Sequence, residues 1–290
     1  MGLVGESGCG KSTLGRAVIR LIEPTLGRVL FDGRDITAMQ EGELRAARRR
    51  MQIVFQDPYG SLNPRMTVRE IVGEGITIHR LASSRKERDE LVGEVLDRVG
   101  LRKDVGGRFP HELSGGMRQR VGIARALAVR PEFIVCDEPV SALDLSVQAQ
   151  IVNLLEELQD ELGMSYLFIS HDLRVVQYVS HRTAVMVLGR IVEMGPTRDI
   201  AERRHHPYTR ALFEAMPAAA TAAAPERGRR HLLVGEAPSA VNPPEGCVFH
   251  PRCPRAERGR CDVEAPPLDE IVPGTHHRVA CWHPHIDGVA

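Results

Sequence analysis

Residues 5–12 read Gly5-Glu6-Ser7-Gly8-Cys9-Gly10-Lys11-Ser12, inside the opening stretch "MGLVGESGCGKSTLGRAVIRL" (residues 1–21). They fit G-x-x-x-x-G-K-[ST], the phosphate-binding loop. Its glycines let successive backbone N–H groups turn inward around anionic oxygens. The apolar "GLV" before it reads as a strand, and the stretch from Ser12 or Thr13 reads as a helix aimed with its positive end at the anion. A chance match in a chain this long is about one in a hundred at average residue usage. An ordinary glycine-rich turn is the rival reading, and the flanking strand and helix speak against it.

Composition sets the outer limits. The chain has 290 residues, 42% apolar and 26% charged, enough for one large domain or two smaller ones with a real core. A formal net charge of zero removes the argument for a whole-protein field that attracts nucleic acid. The nearest candidate for a membrane span, "TAVMVLGRIVEMG", is short and interrupted by Arg190. The N-terminus does not have the pattern of a signal peptide. These features suggest a soluble cytosolic chain that reaches a membrane only by docking to another protein.

Several apolar runs end in a polar group. "QIVF" leads to Gln56, "FIVC" to Asp137 and Glu138, "YLFIS" to His171 and "TAVMVL" to Gly189. Runs without alternation suit strands buried on both faces, as in a parallel sheet. Helical stretches such as "STLGRAVIRLIE" and "SVQAQIVNLLEELQDEL" alternate with them, which predicts an α/β fold with chemistry at the carboxyl ends of the strands. Residues 61–130 read as a helical insertion: "VREIVGEGITIHRL", "SRKERDELVGEVLDRVG" and "SGGMRQRVGIARALAV" have no clear strand between them. The core is then expected over 1–60 and 131–204, and a separate C-terminal extension over 205–290. Within that extension "AMPAAATAAAPERGRR" reads as a linker. Arg45, Arg48, Arg49 and Arg50 read as a solvated helix face.

The phosphate loop makes specific demands on the rest of the chain. Lys11 is expected to reach the β- and γ-phosphates and the Ser12 hydroxyl to bind Mg²⁺. Asp137, ending a buried strand, can hold the Mg²⁺ shell, and Glu138 is placed to polarise an attacking water. Their rival reading is a pair that caps the following turn. Ser114 reads as a helix N-cap, with Gly115 and Gly116 exposing amides at a helix start. On its own that is an ordinary cap, and His171 on its own is a structural histidine at a strand end.

Together these motifs carry a resemblance. The phosphate loop, Gln56 in "VFQDP", "LSGGMRQR", "FIVCDEP", "SALD" and His171 in "ISHD" occur in the order and spacing of ABC-transporter ATPase subunits. "QDPYGSLNPRMTV", "CDEPVSALDLSVQAQIVNLL" and "HPYTRAL" resemble the oligopeptide/dipeptide (peptide/nickel) importer branch. The resemblance implies a P-loop NTPase of the ABC ATPase type: an α/β core, a helical signature subdomain and a Cys-rich C-terminal extension. It implies ATP with Mg²⁺, sandwiched between two subunits. The Gly5, Ser7, Gly8, Cys9, Gly10, Lys11, Ser12 and Thr13 loop of one faces Ser114, Gly115 and Gly116 of the other. Gln56 then senses Mg²⁺ and nucleotide, Glu138 is the catalytic carboxylate, His171 contacts the γ-phosphate and Asp144 lies at the dimer interface. The implied partners are a second ATPase subunit, identical or paralogous, two membrane permease subunits and an extracytoplasmic peptide-binding protein, with no nucleic acid. The implied place is the cytoplasmic face of the plasma (inner) membrane. Met117 departs from the Gln common in the wider family. Three other readings stay open: a nickel or small-solute importer, a non-hydrolytic or regulatory fragment, and a soluble ABC ATPase of repair or translation. The single nucleotide domain and "HPYTRAL" speak against the last.

Two features fit less smoothly. Cys247, Cys253, Cys261 and Cys281 are spaced C-x5-C-x7-C-x19-C, unlike the C-x2-C pairs of zinc ribbons. Four thiolates and the Cys253-Pro254 step are compatible with a [4Fe–4S] cluster, and "NPPEGCVFHPRCP" resembles the tail of peptide-importer ATPases, some of which hold one. Zinc and no metal at all are the alternatives. Secondly, the family carries a few dozen residues before the phosphate loop, including an aromatic residue that stacks on adenine. Only Met1 to Val4 stand there in this chain, so the expectation is a miscalled or truncated start.

Overall fold

The structure is a computed structural model that describes residues 1–215 and 242–286. Most of the linker read in "AMPAAATAAAPERGRR" lies outside the described residues. The chain divides into two compact units, residues 12–169 and residues 1–11 with 170–290.

The unit of residues 12–169 is built on three parallel strands. Met51–Val54 pairs with Phe133–Asp137, which pairs with Ser165–Ile169, in registers Val54↔Cys136 and Asp137↔Ile169. Ile134, Val135 and Cys136 are buried in succession, as the non-alternating run predicts for a strand covered on both faces. Helix Leu145–Leu162 returns the chain from the second strand to the third, and ends at Gly163 in the left-handed region. A two-residue hairpin at Asp32-Gly33, both with positive φ, joins the short strands Leu30–Phe31 and Arg34–Asp35. Residues 61–130 hold helices Val68–Ile78, Arg85–Arg98 and Gly115–Leu127, with no strand among the described residues there. The first of these helices starts in a capping box: Thr67 Oγ1 accepts from Glu70 N–H, and Thr67 N–H donates to Glu70 Oε2 at 2.8 Å.

Two local expectations change. The helix after the phosphate loop runs only over Lys11–Val18. It ends because Leu21 N–H bonds back to Arg16 C=O and Arg20 N–H to Ala17 C=O, with Arg20 at φ 54°. Arg20 Nη1 then donates to the carbonyls of Ile36 (2.9 Å) and Met39 (2.7 Å), tying the helix end to the next segment. The arginine cluster on helix Glu41–Arg50 is not a uniformly solvated face. Arg48, Arg49 and Arg50 are half-buried, Arg48 bonds the Arg20 carbonyl, and Arg50 is held by Glu132 and Asp32. A charge run says nothing about which carbonyls and carboxylates the fold will bring to it.

In the other unit, Gly2–Val4 lies parallel to Arg182–Val187, with Leu3 opposite Ala184. The run read in "TAVMVL" therefore forms a strand that turns at Leu188-Gly189 into an antiparallel partner, Arg190–Pro196. That partner is extended by Arg278–Val279 and then Asp269–Glu270. Helix Pro207–Glu214 and the short 3-10 turn His250–Arg252 complete the C-terminal stretch.

Candidate functional site

The phosphate loop grows from the buried strand Gly2–Val4. Gly5 has to be glycine: a Cβ there would lie 2.2 Å from the Met186 carbonyl oxygen, beside the bulge between Val185 and Met186. Gly10, at φ 102°, takes a backbone shape that side chains resist. Lys11 is buried and its Nζ donates to the carbonyls of Gly5 and Glu6, both at 2.9 Å. The loop thus holds its own ammonium group in place. Cys9 is buried, and burial pushes its thiol pKa up, so its sulfur is a packing atom. Ser7 and Gly8 are exposed, as is Thr13 in the first turn of the helix.

In the unit of residues 12–169, Ser12 and Asp137 meet. Ser12 Oγ donates to Asp137 Oδ1 at 2.6 Å. The carboxylate is almost fully buried, its Oδ2 has no hydrogen-bond partner, and Arg16 Nη2 stands 3.7 Å from it. A buried carboxylate oxygen without a hydrogen bond, next to a serine hydroxyl, suits a hard divalent cation with oxygen ligands. The next residue, Glu138, has φ 45°, uncommon for a side chain of its size. Its N–H donates to Ile169 C=O at 3.0 Å, and its Oε2 accepts from Gln56 Nε2 at 2.9 Å. Backbone strain at a carboxylate next to a cation-suited pair is the pattern of a functional position.

Ser114 caps helix Gly115–Leu127 by accepting from Met117 N–H at 3.4 Å. A Cβ on Gly116 would meet Val147 Cγ1 at 2.6 Å, so this glycine pair packs against the start of helix Leu145–Leu162. Asp144 caps that same helix, accepting from Val147 N–H at 3.0 Å. Ser114, Gly115 and Asp144 are exposed. The structure thus groups Ser12, Asp137, Glu138 and Gln56 together, and Ser114, Gly115 and Gly116 with the helix that Asp144 caps. His171 is exposed in the other unit, between Ser170 and the N-cap Asp172.

The four-cysteine metal centre is not present as a ligand set. Among the described residues no group of three or more His, Cys, Asp or Glu could hold a metal ion. All four cysteines are free thiols and line one small cavity together with His206 and His283. Burial raises the Cys247, Cys253 and Cys281 thiol pKa values, the last to about 12.

Three residues at the loop escaped the sequence reading. Glu6 occupies a free position of the motif, yet its N–H donates to the Tyr208 hydroxyl at 2.9 Å. Its carboxylate accepts two bonds from Arg252, each 2.8 Å. "HPYTRAL" and "HPRCP" mark Tyr208 and Arg252 as part of recognisable stretches, but nothing in either points back to residue 6.

The parallel strands, the phosphate loop and the Ser12–Asp137 pair define an α/β P-loop NTPase. Residues 1–141 match the ABC transporter family, and residues 192–261 match the oligopeptide/dipeptide transporter C-terminal region. The oligopeptide transport ATP-binding protein AppF of Bacillus subtilis is 51% identical over 282 residues, covering 97% of this chain and 84% of its own. A relative from Sinorhizobium fredii is 55% identical over 282 residues, covering 96% of this chain and 77% of its own. Among solved structures, the dimeric post-hydrolysis state of the ATP-binding cassette MJ0796 bound to ADP and Pi aligns with a TM-score of 0.62 at 33% identity. It covers 68% of this chain and 84% of that one. This chain belongs to the ABC transporter ATP-binding family, in its oligopeptide/dipeptide branch.

Proposed function

We propose that this chain is the ATP-hydrolysing subunit that powers import of di- and oligopeptides through a membrane ABC transporter. The observation that carries the reading is the Ser12–Asp137 pair with its unbonded Oδ2, followed directly by the strained Glu138. The names of the relatives favour peptides over nickel or another small solute as cargo. Two permease subunits, a peptide-binding protein and a second ATPase subunit are the proposed partners, at the cytoplasmic face of the plasma membrane. Among the described residues no helix is long and apolar enough to cross a membrane.

In this reading the amides of Gly5, Ser7, Gly8, Cys9, Gly10, Lys11, Ser12 and Thr13 receive the phosphates, and Lys11 offsets their charge. Ser12, Asp137 and Gln56 would hold Mg²⁺, and the cation would supply charge neutralisation for the phosphates. Glu138 accepts a proton from the water that attacks the γ-phosphorus, as the bond from that phosphorus to the β–γ bridging oxygen breaks and ADP leaves, with Gln56 holding the Glu138 carboxylate. His171 donates to the γ-phosphate. Ser114, Gly115 and Gly116 present their helix start to nucleotide on the second subunit, and Asp144 lines that interface. Segments 1–60 and 131–204 form the ATPase core, 61–130 the helical subdomain that grips the permease, and 205–290 the Cys-rich extension. A [4Fe–4S] cluster or zinc in that extension is favoured by four free thiols lining one cavity, and no step of hydrolysis runs through it. Iron and zinc content after anaerobic purification tests it, and absence of both overturns it.

The deciding experiment is Glu138→Gln in the assembled transporter. Hydrolysis should fall by about 10²- to 10⁴-fold while ATP binding is retained. An unchanged turnover would overturn the role of Glu138 and favour a regulatory chain.

A further inference from the structure

The phosphate loop contains one acidic residue, Glu6, in a segment built to attract anions. An unpaired carboxylate there would repel the very phosphates the loop cradles. Arg252 answers that charge. Its Nη1 donates to Glu6 Oε2 and its Nη2 to Glu6 Oε1, both at 2.8 Å, in the parallel fork that suits guanidinium and carboxylate. The Arg252 side chain is only 8% exposed and that of Glu6 26%, so the pair is shielded in a way surface ion pairs are not.

A second contact ends on the same residue. The hydroxyl of the buried Tyr208 accepts from Glu6 N–H, and its ring meets the buried Phe249 edge-on at 5.3 Å. One contact holds the peptide plane of Glu6 and the other its side chain. The Glu6 carbonyl in turn accepts from Lys11 Nζ. The path therefore runs from Tyr208 and Arg252 to Glu6, and from Glu6 to the lysine that meets phosphate. Gly5, Gly8 and Gly10 all carry positive φ, so the loop has little stiffness of its own and would otherwise be ordered at the expense of binding energy.

We propose that Arg252 and Tyr208 are positioning residues for the phosphate loop, with Arg252 also neutralising Glu6. The C-terminal stretch is then part of the nucleotide-binding apparatus, acting from 202 and 246 residues away in sequence. This rests on the reading of the loop as an ATP site.

The test measures MgADP affinity and ATP hydrolysis on the full chain in its transporter, alongside the melting temperature. Arg252→Ala should weaken MgADP binding about ten-fold and raise the KM for ATP, with a smaller change in kcat. Arg252→Lys should recover only part, because an ammonium cannot form the fork. Glu6→Gln in the Arg252→Ala background should restore part of the affinity, since it removes the uncompensated charge but not the lost fork. Tyr208→Phe, which deletes only the hydroxyl, should weaken binding by about three-fold. If Arg252→Ala does not fold, Arg252→Gln measured with and without Glu6→Gln carries the same comparison. Unchanged MgADP affinity in Arg252→Ala and Tyr208→Phe, even with a lowered melting temperature, would overturn the proposal. Failure of the unaltered protein to bind MgADP would instead overturn the ATPase reading.

Discussion

The acidic strand end and the phosphate loop are built in different ways. At the strand end, Asp137 and Glu138 are consecutive residues leaving a buried strand, and their partners Ser12 and Gln56 are likewise carried at the start of a helix and just past a strand. Secondary structure does most of the placing. The phosphate loop is glycine-rich and is held from outside, by Tyr208, Arg252 and the Gly189 N–H, which donates to the Cys9 carbonyl at 2.8 Å. Rigid elements can position a side chain unaided, whereas a loop of low intrinsic stiffness needs contacts that fasten it.

The largest expected effect lies at the strand end. Asp137→Asn keeps the shape and removes the charge from a buried carboxylate, and should lower ATP turnover by about 10³-fold with little change in folding. Turnover within ten-fold of the unaltered protein would mean that this pair does not serve the reaction.

Next is the support beneath Tyr208. Glu193 is fully buried and accepts from the N–H groups of His205 and His206, each at 2.9 Å, and from His277 Nε2 at 2.8 Å. His206 Nδ1 in turn receives Tyr208 N–H at 3.0 Å. Glu193→Gln should destabilise the fold by about 3 kcal/mol in denaturant titration. Burial raises the Glu193 pKa, but its hydrogen bonds prevail and hold it below the ordinary carboxylate value. Its charge therefore contributes stability above that ordinary value. The contribution is lost as pH falls through the lowered one, so the gap between the variant and the parent should narrow in acid.

Gly5→Ala should cost about 2 kcal/mol, because the Met186 carbonyl stands where the methyl must go. A neutral result in a denaturant melt would show that the bulge yields and that the loop is held less firmly than its contacts suggest. The smallest expected effect is remote from both regions: Thr67→Ala removes one helix cap and should cost about 1 kcal/mol, with ATP turnover unchanged.

The order of helices and buried strands follows from the chain itself, because periodicity, caps and glycine positions act over a few residues. The phosphate loop, the Asp137-Glu138 step and the Ser114 cap are readable for the same reason. The thiols of Cys247, Cys253, Cys261 and Cys281 illustrate the limit: their spacing suggests a metal, and only the fold shows that the four sulfurs line one cavity. Arg48 and Arg50 look like solvated charge until the fold supplies the Arg20 carbonyl and the Glu132 carboxylate. Glu6 is a free letter in its motif until tertiary structure brings Tyr208 and Arg252 to it. Local geometry writes itself into neighbouring residues, but a bond between residues 202 or 246 positions apart leaves no periodic trace. Only the packed chain decides it.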